Sequence, residues 1–565
     1  MRTIPMRPLF FAFIAWCAVA NASRGGVATG SHGMVASVHP IATEAGVAIL
    51  KSGGNAIDAA IATALTLGVV DGHNSGIGGG CFLLVRLADG TIAALDGREM
   101  APGAATADMF VRDGKADLNL SQNGALASGV PGALALYDQA LRRWGKKTLA
   151  DVLLPAADVA ERGFALDVKY AAKLEALKET IALFPGSRAV LLKADGSVYR
   201  EGETLRQPDL ARTYRSIAKD GTNWFYRGPM ARSVAEWMAS NGGIMTEDDF
   251  ARYEVKPRET LSTQYQGYTV VGMSPPSSGG VHVGQMLNIL EHFDLAKLER
   301  ESPASRIHVM AEAMKLAFAD RAYWLGDPDF ARVPRGLVDP AYAATLAKKI
   351  DPNRASPVAS HGTPELADQE LFGKHTTHIA AVDAQGNWVA LTATVNTSFG
   401  SKVIVPGTGV ILNDEMNDFS VQSGTPNAFG LVGGDANAIA PFKRPLSSMS
   451  PTIVLKGNRP IMTVGAAGGP RIITQVLLAL VNRLTLGDSP EMTLARPRFH
   501  HQWSPDVLYV EESMPKAIFD DLKSRGHNVQ WTNTAGATQT IILDIDGRSF
   551  IGVSEPRVPG KAAGH

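Results

Sequence analysis

Cysteine is nearly absent: the sequence of 565 residues contains two cysteines, Cys17 and Cys81. Cys17 lies in a stretch with the features of a secretory signal peptide, in which two arginines precede an apolar run over residues 9–19 and small residues precede a predicted cleavage after Ala22. Removal of residues 1–22 leaves only Cys81, so we expect no intramolecular disulfide. The predicted mature protein is exported, either periplasmic or secreted, and depends on a large hydrophobic core for its stability.

Long apolar runs and an excess charge of one sign are also missing. After the signal peptide no segment reaches the roughly 20 uninterrupted apolar residues that a membrane helix needs, so we predict no membrane anchor. The formal net charge is -1, which provides no basic field for nucleic acid. A hydrophobic content of 45% supplies ample material for a core.

Metal and nucleotide motifs are not recognisable either. The histidines show no metal-ligand spacing, because His375 and His378 are too close on a predicted strand and His500 and His501 are adjacent. The glycines at residues 78–80 fit neither nucleotide-binding fingerprint and are interpreted as tight packing. We therefore predict no metal ion and no cofactor.

The pattern that organises the sequence is a predicted β-hairpin over residues 374–383 and 388–396. After a glycine-containing turn, the second strand alternates with period 2, and every other residue from Val389 to Val395 contributes to one apolar face. Two threonine hydroxyls are then adjacent on one face, with Asn396 one step further along, although threonine-rich strands are also common in purely structural sheets. Counting outward from the turn pairs Val382 with Trp388, Ala380 with Ala390, His378 with Thr392, and Thr376 with Thr394.

Elsewhere the sequence alternates between helical and extended patterns. Apolar residues at a 3.6-residue period predict helices, and short apolar runs bounded by glycine predict strands. Residues from about 130 to 350 show no catalytic constellation and are interpreted as scaffold. The predicted helices cover residues 41–50, 56–67, 133–144, 149–162, 307–325, 472–486 and 515–525, and the predicted strands cover 77–85, 91–95, 507–511 and 539–545.

Several motifs resemble the signature blocks of the γ-glutamyltransferases (γ-glutamyltranspeptidases). Members of that family are N-terminal-nucleophile hydrolases, which cut their own chain before a threonine that then becomes the catalytic nucleophile. The resemblance extends from about residue 33 to 560. It implies cleavage between His375 and Thr376 and makes Thr376 the nucleophile. The blocks are His-Thr-Thr-His at 375–378, Asn-Thr-Ser-Phe-Gly at 396–400, Pro-Leu-Ser-Ser-Met-Ser-Pro-Thr at 445–452 and a glycine- and serine-rich turn at 272–280.

The resemblance also implies the fold, a four-layer αββα sandwich of the N-terminal-nucleophile hydrolase type, in the α/β (α+β) class. We expect a large chain of residues 23–375 and a small catalytic chain of residues 376–565 that remain together as a heterodimer. The polar, proline-containing stretch at about 351–375 is the predicted processing linker. Its composition alone fits a surface loop between two domains equally well.

An N-terminal threonine carries its own general base. Its α-amine, with a pKa of roughly 7.7 to 8.0, can take the hydroxyl proton directly or through water, so no histidine and acid pair is needed. By resemblance, Thr394 orients the hydroxyl of Thr376, and the backbone N–H groups of Gly468 and Gly469 form the oxyanion hole.

The resemblance further implies a pocket that recognises both charges of a free amino-acid end. Taken alone, an arginine at a strand end is typical of a surface salt bridge, but a guanidinium fork suits a substrate carboxylate well. The implied carboxylate-binding residues are Arg98, Ser447 and Ser448, and the implied ammonium-binding residues are Asn396, Glu415 and Asp418.

Two residues refine the expected specificity. Related cephalosporin acylases take a substrate without the ammonium group, so an aspartate at position 418 favours γ-glutamyl compounds. Phe429 lies where many bacterial members have a tyrosine on a lid over the pocket, and phenylalanine cannot make the hydroxyl hydrogen bond, so we predict a looser lid.

The implied activity is that of an exported γ-glutamyltransferase. It would hydrolyse glutathione and other γ-glutamyl compounds and pass the γ-glutamyl group to water, amino acids or peptides through a γ-glutamyl-threonine intermediate. Two alternatives remain at this stage: a glutaryl (cephalosporin) acylase of the same fold, and a binding protein of the same scaffold that never cleaves itself.

Overall fold

The computed structural model describes residues 26–364, 377–533 and 536–565. The predicted signal peptide, His375 and Thr376 lie outside the described residues. No helix within the described ranges is long and apolar enough to cross a membrane.

Two antiparallel sheets, each with seven strands in the described residues, form the centre of the fold. The strands are β1 Val27–Gly30, β2 Gly33–Ser37, β3 Gly80–Arg86, β4 Ile92–Gly97, β5 Val111–Arg112, β6 Lys115–Ala116, β7 Phe164–Ala165, β8 Thr204–Leu205, β9 Lys256–Arg258, β10 Thr260–Tyr265, β11 Tyr268–Met273, β12 Thr377–Asp383, β13 Trp388–Thr394, β14 Thr452–Lys456, β15 Arg459–Ala467, β16 Phe499–His500, β17 Leu508–Glu511, β18 Val529–Thr532, β19 Ala537–Leu543, β20 Phe550–Val553 and β21 Lys561–Gly564. The first sheet has the order β1-β20-β19-β15-β14-β11-β10 and the second β21-β2-β12-β13-β3-β4-β9.

Helices cover the outer faces of both sheets. They are α1 Pro40–Lys51, α2 Ala56–Val70, α3 Leu118–Gln122, α4 Ala133–Trp144, α5 Leu149–Arg162, α6 Val168–Ala182, α7 Pro185–Leu191, α8 Pro208–Asp220, α9 Thr222–Tyr226, α10 Pro229–Ser240, α11 Glu247–Ala251, α12 Ser278–Leu290, α13 Leu295–Glu301, α14 Pro303–Trp324, α15 Pro340–Ala347, α16 Arg471–Leu480, α17 Pro490–Ala495 and α18 Lys516–Ser524.

Three apolar layers confirm the four-layer αββα sandwich. Alternation along β13 divides its side chains: Val389 and Leu391 pack with the helices around α2, whereas Trp388 and Ala390 pack against the first sheet. A separate core lies between the first sheet and the helices α12, α14 and α16. Both sheets are therefore buried on their two faces.

The central hairpin has the predicted register. Val382 pairs with Trp388 and His378 with Thr392, and the last described pair is Thr377 with Ala393. The predicted pairing of Thr376 with Thr394 lies outside the described residues.

Most of the other predicted elements are confirmed, and the helix predicted over residues 472–486 differs in one respect. The α-helix α16 ends at Leu480 and continues as a π-helical turn over Val481–Thr485. The predicted strand over residues 77–85 begins only at Gly80, because the preceding glycines pack against neighbouring backbone.

Candidate active site

The candidate site lies at the edge where β13 and β15 end and β3 begins. A Cβ at Gly79, just before β3, would collide with the carbonyl oxygen of Thr394. A Cβ at Gly465 in β15 of the other sheet would collide with the ring of His378. Glycine at both positions therefore allows the strand ends of the two sheets to meet beside Thr394.

The nearby His378 is not suited to proton transfer. Burial lowers the pKa of its imidazole to about 3, so the ring is neutral at physiological pH. Its Nδ1 lies 3.1 Å from Thr392 Oγ1.

Thr394 and Asn396 keep hydrogen-bonding capacity for a ligand. Thr394 Oγ1 accepts a hydrogen bond of 2.7 Å from the Asn396 N–H, which leaves its own hydrogen available to donate. The Asn396 Nδ2 donates to the Asp414 carbonyl oxygen at 3.0 Å, and its Oδ1 is buried and accepts no hydrogen bond from the described residues. An acceptor in this state suits an ammonium group.

Asp414 holds the loop that carries Asn396. Its carboxylate accepts from the Thr397 N–H at 2.9 Å and from Thr397 Oγ1 at 2.6 Å, and Lys402 Nζ lies 3.8 Å away. Burial raises the pKa of Asp414 to about 6, although Lys402 opposes the shift. No sequence pattern singles out Asp414 for this supporting role.

Arg98 is the electrostatic centre of the pocket. Its guanidinium is fully buried and forms ion pairs with Glu415, with Asp418 at 2.7 Å and with Glu99 at 3.4 Å, and its Nε donates to the Pro445 carbonyl oxygen at 3.3 Å. These contacts use four of the five guanidinium N–H groups. Among the described residues, one N–H of Nη2 has no acceptor and can donate to a ligand.

Three carboxylates around one guanidinium carry more negative charge than Arg98 can balance. Burial raises the pKa of Glu99 to about 7 and the pKa of Glu415 well above its ordinary value, and Arg98 opposes both shifts. Both shifts favour the protonated forms of these carboxyl groups. An incoming ammonium would supply the missing positive charge.

The loop with Ser447 and Ser448 is joined to Arg98 through Pro445. Ser278, in the glycine- and serine-rich turn, donates through its N–H to the Ser447 carbonyl oxygen at 2.8 Å. Ser447 Oγ accepts from the Met449 N–H at 3.3 Å, and the buried Ser448 Oγ has no hydrogen-bond partner in the described residues. Both hydroxyls can donate to a substrate carboxylate.

Phe429 contacts the predicted oxyanion turn. A Cβ at Gly469 would lie 2.8 Å from Phe429 Cδ1, so the aromatic ring covers this glycine. Asn427 connects the segment to Asp418 of the predicted ammonium site. Its Oδ1 accepts from the Phe429 N–H at 3.0 Å, and its Nδ2 donates to Asp418 Oδ1 at 3.3 Å. Gln502 Nε2 also donates to the Gly430 carbonyl oxygen at 3.1 Å.

Gly468 and Gly469 form the turn between β15 and α16. Their φ angles are 129° and 59°, in the region that favours glycine. Gly468 is exposed and Gly469 half-buried. The turn is therefore partly accessible beside the Phe429 ring, and its N–H groups can bind a developing negative charge.

Two buried charges of the site were missed in the sequence. Glu99 directly follows Arg98, but its burial beside Glu415 could not be read from spacing. Arg321 of α14 is fully buried, and its Nε and Nη2 have no hydrogen-bond partner in the described residues. Burial lowers the pKa of Arg321 to about 9, and the charge of Asp418 opposes this shift.

The structure thus brings most of the predicted site residues together. The side chains of Glu415 and Asp418 contact the Arg98 guanidinium directly. Most of the other described site residues are connected to these three through one or two intervening residues. His375 and Thr376 lie outside the described residues. The bridged residues are Ser447 and Ser448 through Pro445, Asn396 and Thr394 through the loop held by Asp414, and Gly469 through Phe429 and Asn427.

The four-layer sandwich and the site at its edge define an N-terminal-nucleophile hydrolase. The sequence matches the gamma-glutamyltranspeptidase family over residues 42–565. A glutathione hydrolase proenzyme of Escherichia coli (strain K12) is 44% identical over 93% of this chain and 90% of that protein. The chain belongs to the γ-glutamyltranspeptidase family.

Acylases are also similar to the chain. The acylase ACY 1 proenzyme of Pseudomonas sp. (strain SE83) is 40% identical over 92% of this chain and 91% of that protein. The crystal structure of a cephalosporin acylase from Bacillus halodurans superposes with a TM-score of 0.86 at 29% identity, covering 100% of this chain and 99% of that one. Glutathione hydrolases and acylases therefore share this fold, so the two activities have to be distinguished by the residues of the pocket.

Proposed function

We propose that this protein is an autoprocessed γ-glutamyltransferase. It hydrolyses glutathione and other γ-glutamyl compounds and transfers the γ-glutamyl group to water, amino acids or peptides. The observation that carries the proposal is the buried cluster of Arg98, Glu415 and Asp418, which has a free guanidinium N–H for a carboxylate and an excess of carboxylates for an ammonium. The similarity to glutathione hydrolase proenzymes supports it.

In the proposed mechanism, cleavage between His375 and Thr376 gives a large chain of residues 23–375 and a small chain of residues 376–565. These remain together as a heterodimer because each seven-stranded sheet contains hydrogen-bonded strands from both sides of the predicted cleavage. Continuing the β12–β13 ladder by one residue would pair position 376 with Thr394, which supports Thr376 as the nucleophile. We further propose that the protein is exported by the signal peptide at residues 1–22.

The proposed chemistry has two half-reactions. The α-amine of Thr376 takes the proton of its own hydroxyl, whose oxygen attacks the γ-carbonyl carbon. The amide C–N bond breaks, the leaving amine takes the proton, and a γ-glutamyl-threonine ester remains. Water or an amino acid then attacks this ester and restores the hydroxyl. The N–H groups of Gly468 and Gly469 stabilise the oxyanion in both halves.

Comparing γ-glutamyl-p-nitroanilide with glutaryl-p-nitroanilide tests this proposal. The two substrates differ in the α-ammonium group, so we expect the γ-glutamyl compound to have the higher kcat/KM. A higher kcat/KM for the glutaryl compound would favour the alternative function, a glutaryl acylase, which the similarity to ACY 1 acylases supports.

Gly469→Ala is expected to lower kcat about 10²- to 10³-fold, the usual effect of losing an oxyanion donor. The added Cβ would be strained at a φ of 59° and would press on Phe429, which displaces the N–H. Steady-state kinetics with γ-glutamyl-p-nitroanilide gives the effect. Gly487→Ala is the matched control, because Gly487 also has a positive φ of 70° but no atoms within 4 Å of an added Cβ. Equal kcat values for the two variants would contradict the assignment.

Glu99→Gln is expected to flatten the rise of kcat/KM with pH. Glu99 has a pKa raised to about 7 by burial, so it is protonated below that pH and adds a negative charge beside the ammonium site above it. Glutamine is neutral throughout, so the variant should match the wild type most closely at pH 6 and fall below it by pH 8. Glu512→Gln, at an exposed position, serves as the control. Parallel pH profiles for Glu99→Gln and wild type would exclude this role.

A further inference from the structure

A second cluster of buried ionisable side chains lies away from the candidate active site, between α14 and the turn that precedes β18. His308 and Glu312 are four residues apart on α14, which places them on one helix face. His527 reaches them from the turn after α18. One ligand atom from each of the three residues lies within 4.8 Å of the others, and all three side chains are buried.

Hydrogen bonds fix the tautomer of His308. Its Nε2 lies 2.7 Å from the Asp351 carbonyl oxygen, and a carbonyl only accepts, so Nε2 carries the hydrogen. Nδ1 therefore has the lone pair and accepts from His527 Nε2 at 2.7 Å. A histidine that binds a metal through one ring nitrogen commonly donates its other ring N–H to a backbone carbonyl in this way.

The two buried oxygens of Glu312 have different partners. Its Oε2 accepts from the Ser356 N–H at 3.0 Å, whereas its Oε1 forms an ion pair with Lys315 Nζ at 2.7 Å. His527 Nδ1 lies 4.0 Å from this Oε1. One ligand atom of Glu312 and one of each histidine are thus close enough together to bind a single ion.

We propose that His308, Glu312 and His527 bind a divalent transition-metal ion of the zinc class. Two imidazoles and one carboxylate are a donor set that Zn²⁺ and Co²⁺ prefer, with a fourth position left for water. Binding needs the facing nitrogens of His308 and His527 to separate to about 3.3 Å, the spacing of two ligands at metal-nitrogen bonds of about 2.05 Å. The proton of His527 moves from Nε2 to Nδ1 when Nε2 becomes a ligand, so no net proton is released.

The Lys315 ammonium would compete with a metal ion for this site. Its Nζ lies 2.7 Å from Glu312 Oε1 and donates to the Ser356 carbonyl oxygen at 2.6 Å. The ammonium therefore holds the oxygen that a metal ion would need. Arg525 adds positive charge near His308, whereas Asp506, bonded to His501, adds negative charge near His527. Replacing Lys315 by a neutral side chain should strengthen metal binding.

The site would connect the two chains if the precursor is cleaved as proposed above. His308 and Glu312 precede the predicted cleavage and His527 follows it, 219 residues after His308. The Asp351 carbonyl oxygen accepts from His308 and the Ser356 N–H donates to Glu312, so the segment that precedes the predicted cleavage also lies at this cluster. This consequence rests on the proposed function, whereas the metal site itself does not.

Calorimetric titration of the tag-free, full-length protein with Zn²⁺ after EDTA treatment tests the proposal, and the absorption spectrum with Co²⁺ reports the coordination. We expect one ion per protein, a tetrahedral Co²⁺ spectrum and a higher Tm with Zn²⁺. Glu312→Gln and His527→Gln should each weaken metal binding by at least about 10- to 100-fold, because losing a residue that only hydrogen-bonds to a metal ligand already has an effect of that size. Lys315→Gln should strengthen it, and His292→Gln, at an exposed position outside the cluster, should leave it unchanged.

The proposal would be overturned by two results. One is the absence of stoichiometric binding by both the wild type and Lys315→Gln, which would make the cluster a metal-free hydrogen-bond network. The other is binding that Glu312→Gln and His527→Gln leave unchanged, which would place the ion elsewhere. Far-ultraviolet circular dichroism of each variant shows that it is folded. Metal affinity is measured independently of γ-glutamyl hydrolysis, so failure here is distinct from failure of the proposed function.

Discussion

Thr376→Ala is expected to reduce turnover of γ-glutamyl-p-nitroanilide by about 10⁴-fold or more, the scale on which removal of a catalytic nucleophile acts. Alanine provides no oxygen for the acyl-enzyme ester. The remaining pocket, with Arg98 and its carboxylates, can still bind the substrate. The expected loss is therefore in kcat, and a competitive γ-glutamyl analogue should still bind.

Thr376→Ser is the matched variant for this prediction. Serine keeps the hydroxyl and the α-amine and lacks only the methyl group, so we expect cleavage and measurable turnover. Equal loss in the serine and alanine variants would indicate that position 376 is structural. Substantial activity in Thr376→Ala would remove it from the mechanism.

Asp418→Asn is expected to lower kcat/KM for γ-glutamyl-p-nitroanilide by about 10²- to 10³-fold, or ~3–4 kcal/mol of transition-state stabilisation. The substitution preserves shape but removes a buried charge that lies 2.7 Å from Arg98. The α-ammonium of the substrate then loses a partner in a site from which water is excluded. Glutaryl-p-nitroanilide has no such group, so its kcat/KM should change little.

Asp435→Asn provides the control for charge alone, because Asp435 is exposed on a neighbouring turn. Its kinetics should be those of the wild type. A similar decrease for both substrates in Asp418→Asn would mean that Asp418 supports the pocket rather than recognises the ammonium.

Local patterns in the sequence were sufficient to predict the central hairpin and its register. Alternation and a short turn fix which residues of β12 and β13 face each other, so the pairs of Val382 and His378 follow from counting. The helices α4 and α5 have the predicted bounds for a similar reason, since their apolar stripes are local. The four-layer arrangement could not be chosen this way and came from the family resemblance.

The electrostatics of the pocket depend on contacts that sequence spacing does not reveal. Arg98 and Glu415 are 317 residues apart, yet both are buried in the same ion-pair cluster. The sequence motifs identified Glu415 and Asp418. They did not reveal that both carboxylates form ion pairs with the Arg98 guanidinium, or that Glu99 is a third carboxylate in the cluster. The link from Phe429 through Asn427 to Asp418 is likewise a tertiary contact between loop residues.

The intact mass of the purified wild-type protein tests self-cleavage before Thr376 most directly. We expect two chains whose masses place the break between His375 and Thr376, and a single uncut chain for Thr376→Ala measured beside it. A single uncut wild-type chain would contradict self-cleavage, because the fold would then be present without the chemistry that creates its nucleophile.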